Sequence, residues 1–127
     1  MPRKKATMLT NAEHRIMEVI WARGSATVAD VVEALKGKDA YTTILTFIRI
    51  LKAKGYLNSR KEGRAHVFTP AVDRSTVARK AAHQLLSKFF AGSPSKLVLS
   101  FLQDEALSPQ ELTRIKEEIL NSEREDL

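Results

Sequence analysis

The chain has 127 residues and a formal net charge of +6, a length that suits one compact domain or a small domain with an oligomerisation segment. It contains no cysteine, which excludes a disulfide framework, a thiolate metal site and a cysteine nucleophile, and fits a reducing cytoplasm. No apolar run approaches the roughly 20 residues that span a bilayer, and the basic start Met1–Lys5 has no apolar segment behind it, so we expect neither a secretory signal nor a membrane span.

The excess positive charge lies in the first half of the chain. Up to Pro70 there are 13 Lys and Arg against 6 Asp and Glu, whereas from Ala71 onward there are 8 against 9. This asymmetry predicts that the first half meets a polyanion while the second half does something different. Residues 1–8 are expected to form a basic arm.

The first half begins with signals for three short helices. Thr10 and Glu13 have capping-box spacing before an apolar stripe that Gly24 ends. Thr27 is a candidate cap for the second helix, and Gly55 suits the position after the third. We place these helices at about residues 11–22, 28–35 and 41–54. Three short helices joined by tight turns are typical of a helix-turn-helix.

A change of period after Gly55 predicts a β-hairpin. Tyr56–Lys61 and Ala65–Thr69 read as short strands around a three-residue loop, Glu62–Arg64, and Pro70 ends the second. A hairpin directly after a helix-turn-helix is a winged helix. The fold class predicted here is therefore mainly α with a small hairpin, with a winged-helix domain at residues 1–72.

Residues 73–127 return to helical period and are predicted to form a three-helix dimerisation domain. A helix follows the cap Asp73, a second spans Pro94–Gln103, and Ser108 with Glu111 forms another capping box before a helix to about Asn121. These helices are too apolar to remain exposed to solvent and too few to form a core of their own. We therefore expect them to pair with the same helices of a second copy of the chain. The alternative is that they fold back onto the first domain of a monomer. The residues expected at the dimer interface are Leu85, Phe89, Leu97, Val98, Phe101, Leu102, Leu112, Ile115 and Ile119.

The third helix carries the candidate DNA-reading face. At 100° per residue, one face collects Ile44, Phe47, Ile48 and Leu51 and should be buried. The other face collects Thr42, Thr43, Thr46, Arg49 and Ile50. Threonine is a poor helix former, so these threonines suggest a role other than helix stability. A threonine hydroxyl can bind a phosphate, and the threonine methyls and Ile50 can contact thymine methyls. Arg49 can bind phosphate or guanine. The alternative is a solvated face that tolerates threonine.

The hairpin tip adds three cations, Arg60, Lys61 and Arg64. Long cationic side chains at this place can follow the DNA backbone or enter the minor groove. A charged tip is also a common solubility device, but beside the helix face we favour DNA binding.

Signals for catalysis are absent. His14, His66 and His83 fall in three different elements without metal-ligand spacing. No nucleophile motif or Gly-rich phosphate loop appears. We therefore expect no enzyme, no metal, no cofactor and no small-molecule substrate.

Taken together, these residues resemble the penicillinase-repressor family. The similar stretches are Leu9–Glu13 with Val19–Trp21, Ala40–Thr46, Leu51–Gly55, Lys61–Pro70, and Ser95–Leu102 with Leu107–Ser108. Their order and spacing, over about residues 9–120, carry the resemblance.

The resemblance implies a winged-helix domain and a helical dimerisation domain that together repress transcription at a palindromic operator with TACA/TGTA-type half-sites. It places Thr42, Thr43 and Thr46 in the recognition helix. In the β-lactam branch, it implies release through a membrane sensor-protease pathway that leads to cleavage in the dimerisation arm, at the pair that here is Ser100-Phe101.

The chain departs from the family pattern at three places. The family commonly has its recognition-helix arginine at the position of Ile50, one residue after Arg49, which rotates the guanidinium by about 100°. Ser100 stands where the family has asparagine at the scissile pair. The copper-responsive branch uses a C-terminal cysteine cluster, which this chain lacks.

The function expected from the sequence is thus a homodimeric, sequence-specific repressor of a resistance or stress operon. Two alternatives remain open: a helical protein-interaction adaptor, and an architectural protein that binds DNA without sequence preference.

Overall fold

The computed structural model describes residues 8–125, with side chains as far as Ser122. Within that range it contains six helices and one two-stranded antiparallel sheet. The elements are α1 Asn11–Arg23, α2 Val28–Ala34, α3 Tyr41–Ala53, β1 Leu57–Glu62, β2 Ala65–Pro70, α4 Arg74–Phe89, α5 Pro94–Gln103 and α6 Pro109–Glu125. The predicted mainly α winged-helix class is confirmed, although α6 continues past the predicted end at Asn121. The predicted basic arm, apart from Met8, lies outside the described residues.

Side-chain caps begin α1, α2 and α6 where the sequence predicts them, whereas the predicted cap Asp73 accepts hydrogen bonds from the hydroxyls of Ser75 and Thr76. At α1, the backbone N–H of Glu13 donates to Thr10 Oγ1 at 3.2 Å, and the N–H of Thr10 donates to Glu13 Oε1 at 2.9 Å. Thr27 caps α2 in the same way: the backbone N–H of Asp30 donates to Thr27 Oγ1, and the N–H of Thr27 donates to the Asp30 carboxylate. These bonds satisfy amide groups that the helix itself leaves without acceptors, so the element boundaries are set locally.

A single apolar core joins α1, α2, α3 and the hairpin. From α3 it takes Ile44, Ile48 and Leu51, each almost fully buried, while Phe47 packs at its edge. The helical-period prediction for this face of α3 is therefore confirmed. The remaining core members are Ile16, Met17, Ile20, Ala26, Val28, Val31, Tyr56, Leu57 and Phe68. Burying one face of α3 fixes which of its residues remain exposed.

An ion pair joins the beginning of α1 to the end of α3. Lys54 Nζ lies 2.8 Å and 3.0 Å from the two carboxylate oxygens of Glu13, and the Glu13 side chain is only 3% exposed. The capping carboxylate of α1 thus also holds the C-terminal end of α3.

The hairpin differs from the prediction at its turn. Glu62 pairs directly with Ala65, so the loop is the two-residue turn Gly63–Arg64 and the predicted three-residue loop is wrong. Gly63 has φ +63°, a conformation that glycine adopts at the first position of a tight hairpin turn without steric cost. The tighter turn places Glu62 in the ladder rather than in the loop.

A further backbone pairing fixes the hairpin to the helices. The N–H of Phe68 donates to the carbonyl of Ala26 at 2.8 Å, and the N–H of Ala26 donates back at 3.0 Å. Two strands alone are marginally stable in water. This bridge, together with the burial of Phe68, anchors β2 beside the start of α2.

The structure divides into two compact units between Ala81 and Ala82. The domain boundary predicted from the sequence, between residues 72 and 73, precedes α4, which begins at Arg74 and runs through this division. None of the helices in the described range is long and apolar enough to cross a bilayer.

Candidate nucleic-acid interface

The face of α3 opposite the core is open to solvent. All five residues predicted to read DNA lie on it and are exposed: Thr42, Thr43, Thr46, Arg49 and Ile50. They are brought together because the same helix buries Ile44, Ile48 and Leu51 on its other side.

The hydroxyl of Thr46 is already used within the helix. Its Oγ1 donates to the carbonyl oxygen of Thr42 at 2.9 Å, a bond that threonine commonly forms one turn back. The hydroxyl proton is therefore used, the oxygen keeps lone pairs that can accept a hydrogen bond, and the exposed side chain also carries an apolar methyl.

The first turn of α3 has no side-chain cap. It begins after Ala40, without a side-chain cap hydrogen bond, whereas α1, α2 and α5 begin with Thr10, Thr27 and Ser93 as caps. Uncapped amides at a helix N-terminus, together with its partial positive charge, suit a phosphate oxygen. Helix α3 therefore carries both the exposed face and an N-terminus without a side-chain cap.

At the hairpin tip, two of the three predicted cations carry unpaired charge. Arg60 Nε lies 2.7 Å from the Glu62 carboxylate, an exposed pair that partly neutralises both groups. Lys61 and Arg64 are exposed and form no ion pair with the described residues. The hairpin tip therefore offers the charges of Lys61 and Arg64 to an anion. The charge of Arg60 is less available than the sequence suggested, because Glu62 partly neutralises it.

A second stripe of α3 faces the hairpin and was not predicted as a unit from the sequence. Tyr41, Leu45 and Lys52 recur at helical spacing between the buried face and the exposed threonine face, and Arg49 lies where this stripe meets the threonine face. Together with the hairpin they line an open groove of about 500 Å³. The helical spacing of these residues is visible in the sequence, but only the folded structure places the hairpin opposite them.

The groove has a cationic rim and an apolar floor. The rim carries Arg49 and Lys52 from α3 and Arg64 and His66 from the hairpin. Val28 and Phe68, both buried, contribute to the floor. Lys52 Nζ donates to Ser59 Oγ at 2.7 Å and so links the end of α3 to β1.

The second unit exposes much of its apolar surface. Of the residues predicted at a dimer interface, Leu85, Phe89, Val98, Phe101, Ile115 and Ile119 are exposed, while Leu97, Leu102 and Leu112 are half-buried. Phe89 is 73% exposed. Unpartnered apolar side chains of this number favour an interaction surface.

The Ser100–Phe101 bond lies inside α5. Ser100 Oγ donates to the carbonyl of Leu97 at 2.8 Å, so the candidate scissile bond is in regular, hydrogen-bonded helix.

The histidines do not converge on a site. His14 pairs with Glu18 one helical turn later at 2.9 Å, and His66 and His83 lie on β2 and α4. Across the described part of the chain, no group of three His, Cys, Asp or Glu side chains is arranged to hold a metal ion.

Comparison with known proteins gives consistent matches. The sequence model of a family described as "Penicillinase repressor" matches residues 9–121. A penicillinase repressor of Bacillus licheniformis is 35% identical over 127 residues, covering 96% of this chain and 99% of the relative. The methicillin resistance regulatory protein MecI of Staphylococcus aureus strain N315 is 27% identical, covering 92% of this chain and 96% of the relative.

Solved structures agree on the fold. The solution structure of the DNA binding domain of the repressor BlaI is 37% identical, covers 57% of this chain and 92% of that domain, and has a TM-score of 0.52. The oxidised form of MarR from E. coli covers 90% of this chain with a TM-score of 0.51 at 13% identity, a likeness of fold alone.

Proposed function

The chain belongs to the penicillinase repressor family, and on that premise we propose that it is a transcriptional repressor that binds operator DNA through α3 and the hairpin. Its relatives are named as repressors and a regulatory protein, not as enzymes. We place its action in the cytoplasm, where the operator DNA is.

One observation carries the proposal: α3 has an exposed face opposite its buried one. Thr46, Arg49 and Ile50 project from a helix whose far side is fixed in the core. An α-helix fits the major groove of B-DNA, where base edges are distinguishable. A rigid helix that presents methyl groups, a hydroxyl acceptor and a guanidinium suits that groove.

We assign the two parts of the interface different roles. The α3 face reads base edges, with the methyl of Thr46 and the side chain of Ile50 against thymine methyls and Arg49 on guanine or phosphate. Lys61 and Arg64 contact the sugar–phosphate backbone, which positions the protein without reading sequence.

We propose further that the second unit pairs two chains. Its exposed apolar side chains, including Phe89 and Ile119, need a partner surface, and a second copy supplies the same surface in a two-fold interface. Two winged helices related by a two-fold axis match a palindromic operator.

For release from DNA, we propose cleavage in α5 at Ser100–Phe101, downstream of a membrane sensor-protease. Because the bond lies within the helix, cleavage requires local opening of α5 first. Cells treated with a β-lactam should then contain a shortened chain; an intact chain after derepression would contradict this route.

The experiment that tests the main proposal is selection of bound sites from random DNA duplexes. A repressor enriches a palindrome. Enrichment of DNA without a palindrome indicates an architectural protein, and negligible DNA binding indicates an interaction adaptor.

Two variants then test the division of roles. Thr46→Ala should reduce discrimination between the selected operator and random DNA by about 1 kcal/mol, roughly fivefold. Lys61→Ala should weaken both by the same factor and lower the salt dependence of binding. Identical effects of the two substitutions would contradict the assignment.

A further inference from the structure

An ion pair with three short contacts ties the first residue of α4 to α1. Arg74 Nε lies 2.9 Å and 3.1 Å from the two carboxylate oxygens of Glu18, and Arg74 Nη2 lies 2.9 Å from Glu18 Oε2. The planar guanidinium and the planar carboxylate therefore meet side by side, a geometry that restricts their orientation as well as their distance. This pair of residues is the α1–α4 clamp.

The carboxylate of the clamp is held from a second direction. His14 Nε2, one helical turn earlier on α1, lies 2.9 Å from Glu18 Oε2. The hydrogen bonds from Arg74 hold the pKa of Glu18 below its ordinary 4.5, so the group is charged at neutral pH. The side chain of Arg74 is 64% exposed and that of Glu18 is 35% exposed. Water competes for such a pair, so it contributes little to stability, and its main effect is on geometry.

Two further contacts hold the same end of α4. Trp21 Nε1 donates to the carbonyl of Val72 at 3.0 Å, and both Val72 and Val77 pack against the core of the first unit. Arg74 and Val77 are three residues apart and therefore lie on the same side of α4. That side faces the first unit, with a charged contact at the first residue of the helix and an apolar contact one turn later.

Helix α4 continues from this fixed start beyond the end of the first unit at Ala81. Its 16 residues span about 24 Å at 1.5 Å per residue. A tilt of about 10° at the start would therefore move the far end by about 4 Å, close to the roughly 3.4 Å rise of one base pair. Small changes at the first turn of α4 are thus comparable in size to a change of one base pair along DNA.

We propose that Glu18 and Arg74 are positioning residues, and that the α1–α4 clamp sets the half-site spacing that a dimer accepts on DNA. This inference rests on the proposed function, because it requires a dimer that binds two half-sites. Two half-sites are bound together only when their separation matches that of the two reading helices. Holding the start of α4 limits that separation without any contact between the clamp and DNA.

The direct test is a series of operators with altered spacing. One base pair inserted or removed between the half-sites changes their separation by about 3.4 Å and their relative rotation by about 35°. The original protein should lose about tenfold in affinity at each altered spacing, because the DNA must deform to restore the match. Glu18→Ala should lose only about threefold relative to its own affinity for the unaltered operator.

Paired substitutions show that the two residues act as one unit. Arg74→Ala should give the same reduced dependence on spacing as Glu18→Ala, and the double variant should not reduce it further. The exchange of Glu18→Arg with Arg74→Glu restores opposite charges and should restore the dependence on spacing. An exchanged protein that still tolerates altered spacing as Glu18→Ala does would overturn the proposal.

An isolated half-site separates positioning from DNA contact and from folding. Glu18→Ala and Arg74→Ala should bind it with the original affinity; a loss confined to Arg74→Ala would make Arg74 a DNA contact and overturn the proposal. If the pair only stabilises the fold, the variants will lower the urea midpoint followed by Trp21 fluorescence and keep the original dependence on spacing, and the proposal is then wrong. The matched control is Lys80→Ala, an exposed lysine in the same part of α4, which should keep the original dependence on spacing.

The outcomes distinguish this proposal from the proposed function. If random duplexes yield no palindrome, the repressor function fails, and the role of the clamp in spacing fails with it. If they yield a palindrome and every clamp variant keeps the original dependence on spacing, the repressor function stands and only the clamp assignment fails.

Discussion

Replacing Glu13 by glutamine should destabilise the first unit by removing a buried charge from the α1–α3 junction. Glu13 accepts hydrogen bonds from Lys54 Nζ and from the backbone N–H of Thr10. Glutamine keeps the size and an acceptor for Thr10, so the substitution isolates the charge. It leaves the Lys54 ammonium without its carboxylate partner.

The magnitude follows from the exposure of the two partners. Removing one member of a buried ion pair costs roughly 3–5 kcal/mol, because the other charge stays buried. Glu13 is 3% exposed but Lys54 is 23% exposed, so the orphaned ammonium regains part of its hydration. We therefore expect a loss of about 2 kcal/mol in the free energy of unfolding at neutral pH.

Trp21, the only tryptophan, reports this unit alone. It is half-buried and its Nε1 donates to the carbonyl of Val72 at 3.0 Å, so its fluorescence in urea follows unfolding of the first unit. The control is Glu18→Gln on the same helix, whose partners His14 and Arg74 are exposed; its effect should be much smaller.

The pH dependence supplies a second readout. Burial raises the pKa of Glu13, but hydrogen bonds from Lys54 and Thr10 outweigh this and hold the pKa below its ordinary 4.5. The carboxylate therefore contributes stability above pH 4.5 that is lost as the pH falls through the depressed pKa. The difference between the original protein and Glu13→Gln should be full at neutral pH and shrink in acid. A difference that is negligible at pH 7, or that is constant into acid, would refute the reasoning.

Three further predictions concern a helix end, an indole bond and the apolar second unit. Ala91 follows α4 with φ +50°, so Ala91→Gly should relieve left-handed strain and stabilise the protein by about 0.5–1 kcal/mol; unchanged or reduced stability in thermal unfolding would count against it. Trp21→Phe removes the donor to Val72 and should cost about 1 kcal/mol, measured by circular dichroism because the fluorophore is lost; a cost near zero would show that the bond contributes nothing. Phe89→Asp should dissociate the proposed dimer in sedimentation equilibrium, while the urea midpoint followed by Trp21 fluorescence stays constant. The control Ser87→Asp, at an exposed residue on another side of α4, should leave the dimer intact. An intact dimer with both variants would contradict the assigned surface.

The sequence by itself determined the features that depend on neighbours a few residues apart. The cap of α1 by Thr10 and Glu13 and the burial of Ile44, Ile48 and Leu51 all follow from spacing along one helix. The exposed face of α3 with Thr42, Thr43 and Thr46 follows from the same period, since burying one side leaves the other outside.

Only the tertiary structure decided features that join distant parts of the chain. The Glu13–Lys54 pair spans 41 residues, and the Ala26–Phe68 bridge is a single-residue pairing that leaves no periodic pattern. The ion pair between Arg60 and Glu62 is a local exception, which forms where the two-residue turn keeps Glu62 in β1. Lys52 lies between the buried and the threonine faces of α3, and its place in the groove exists only because packing sets the hairpin opposite it.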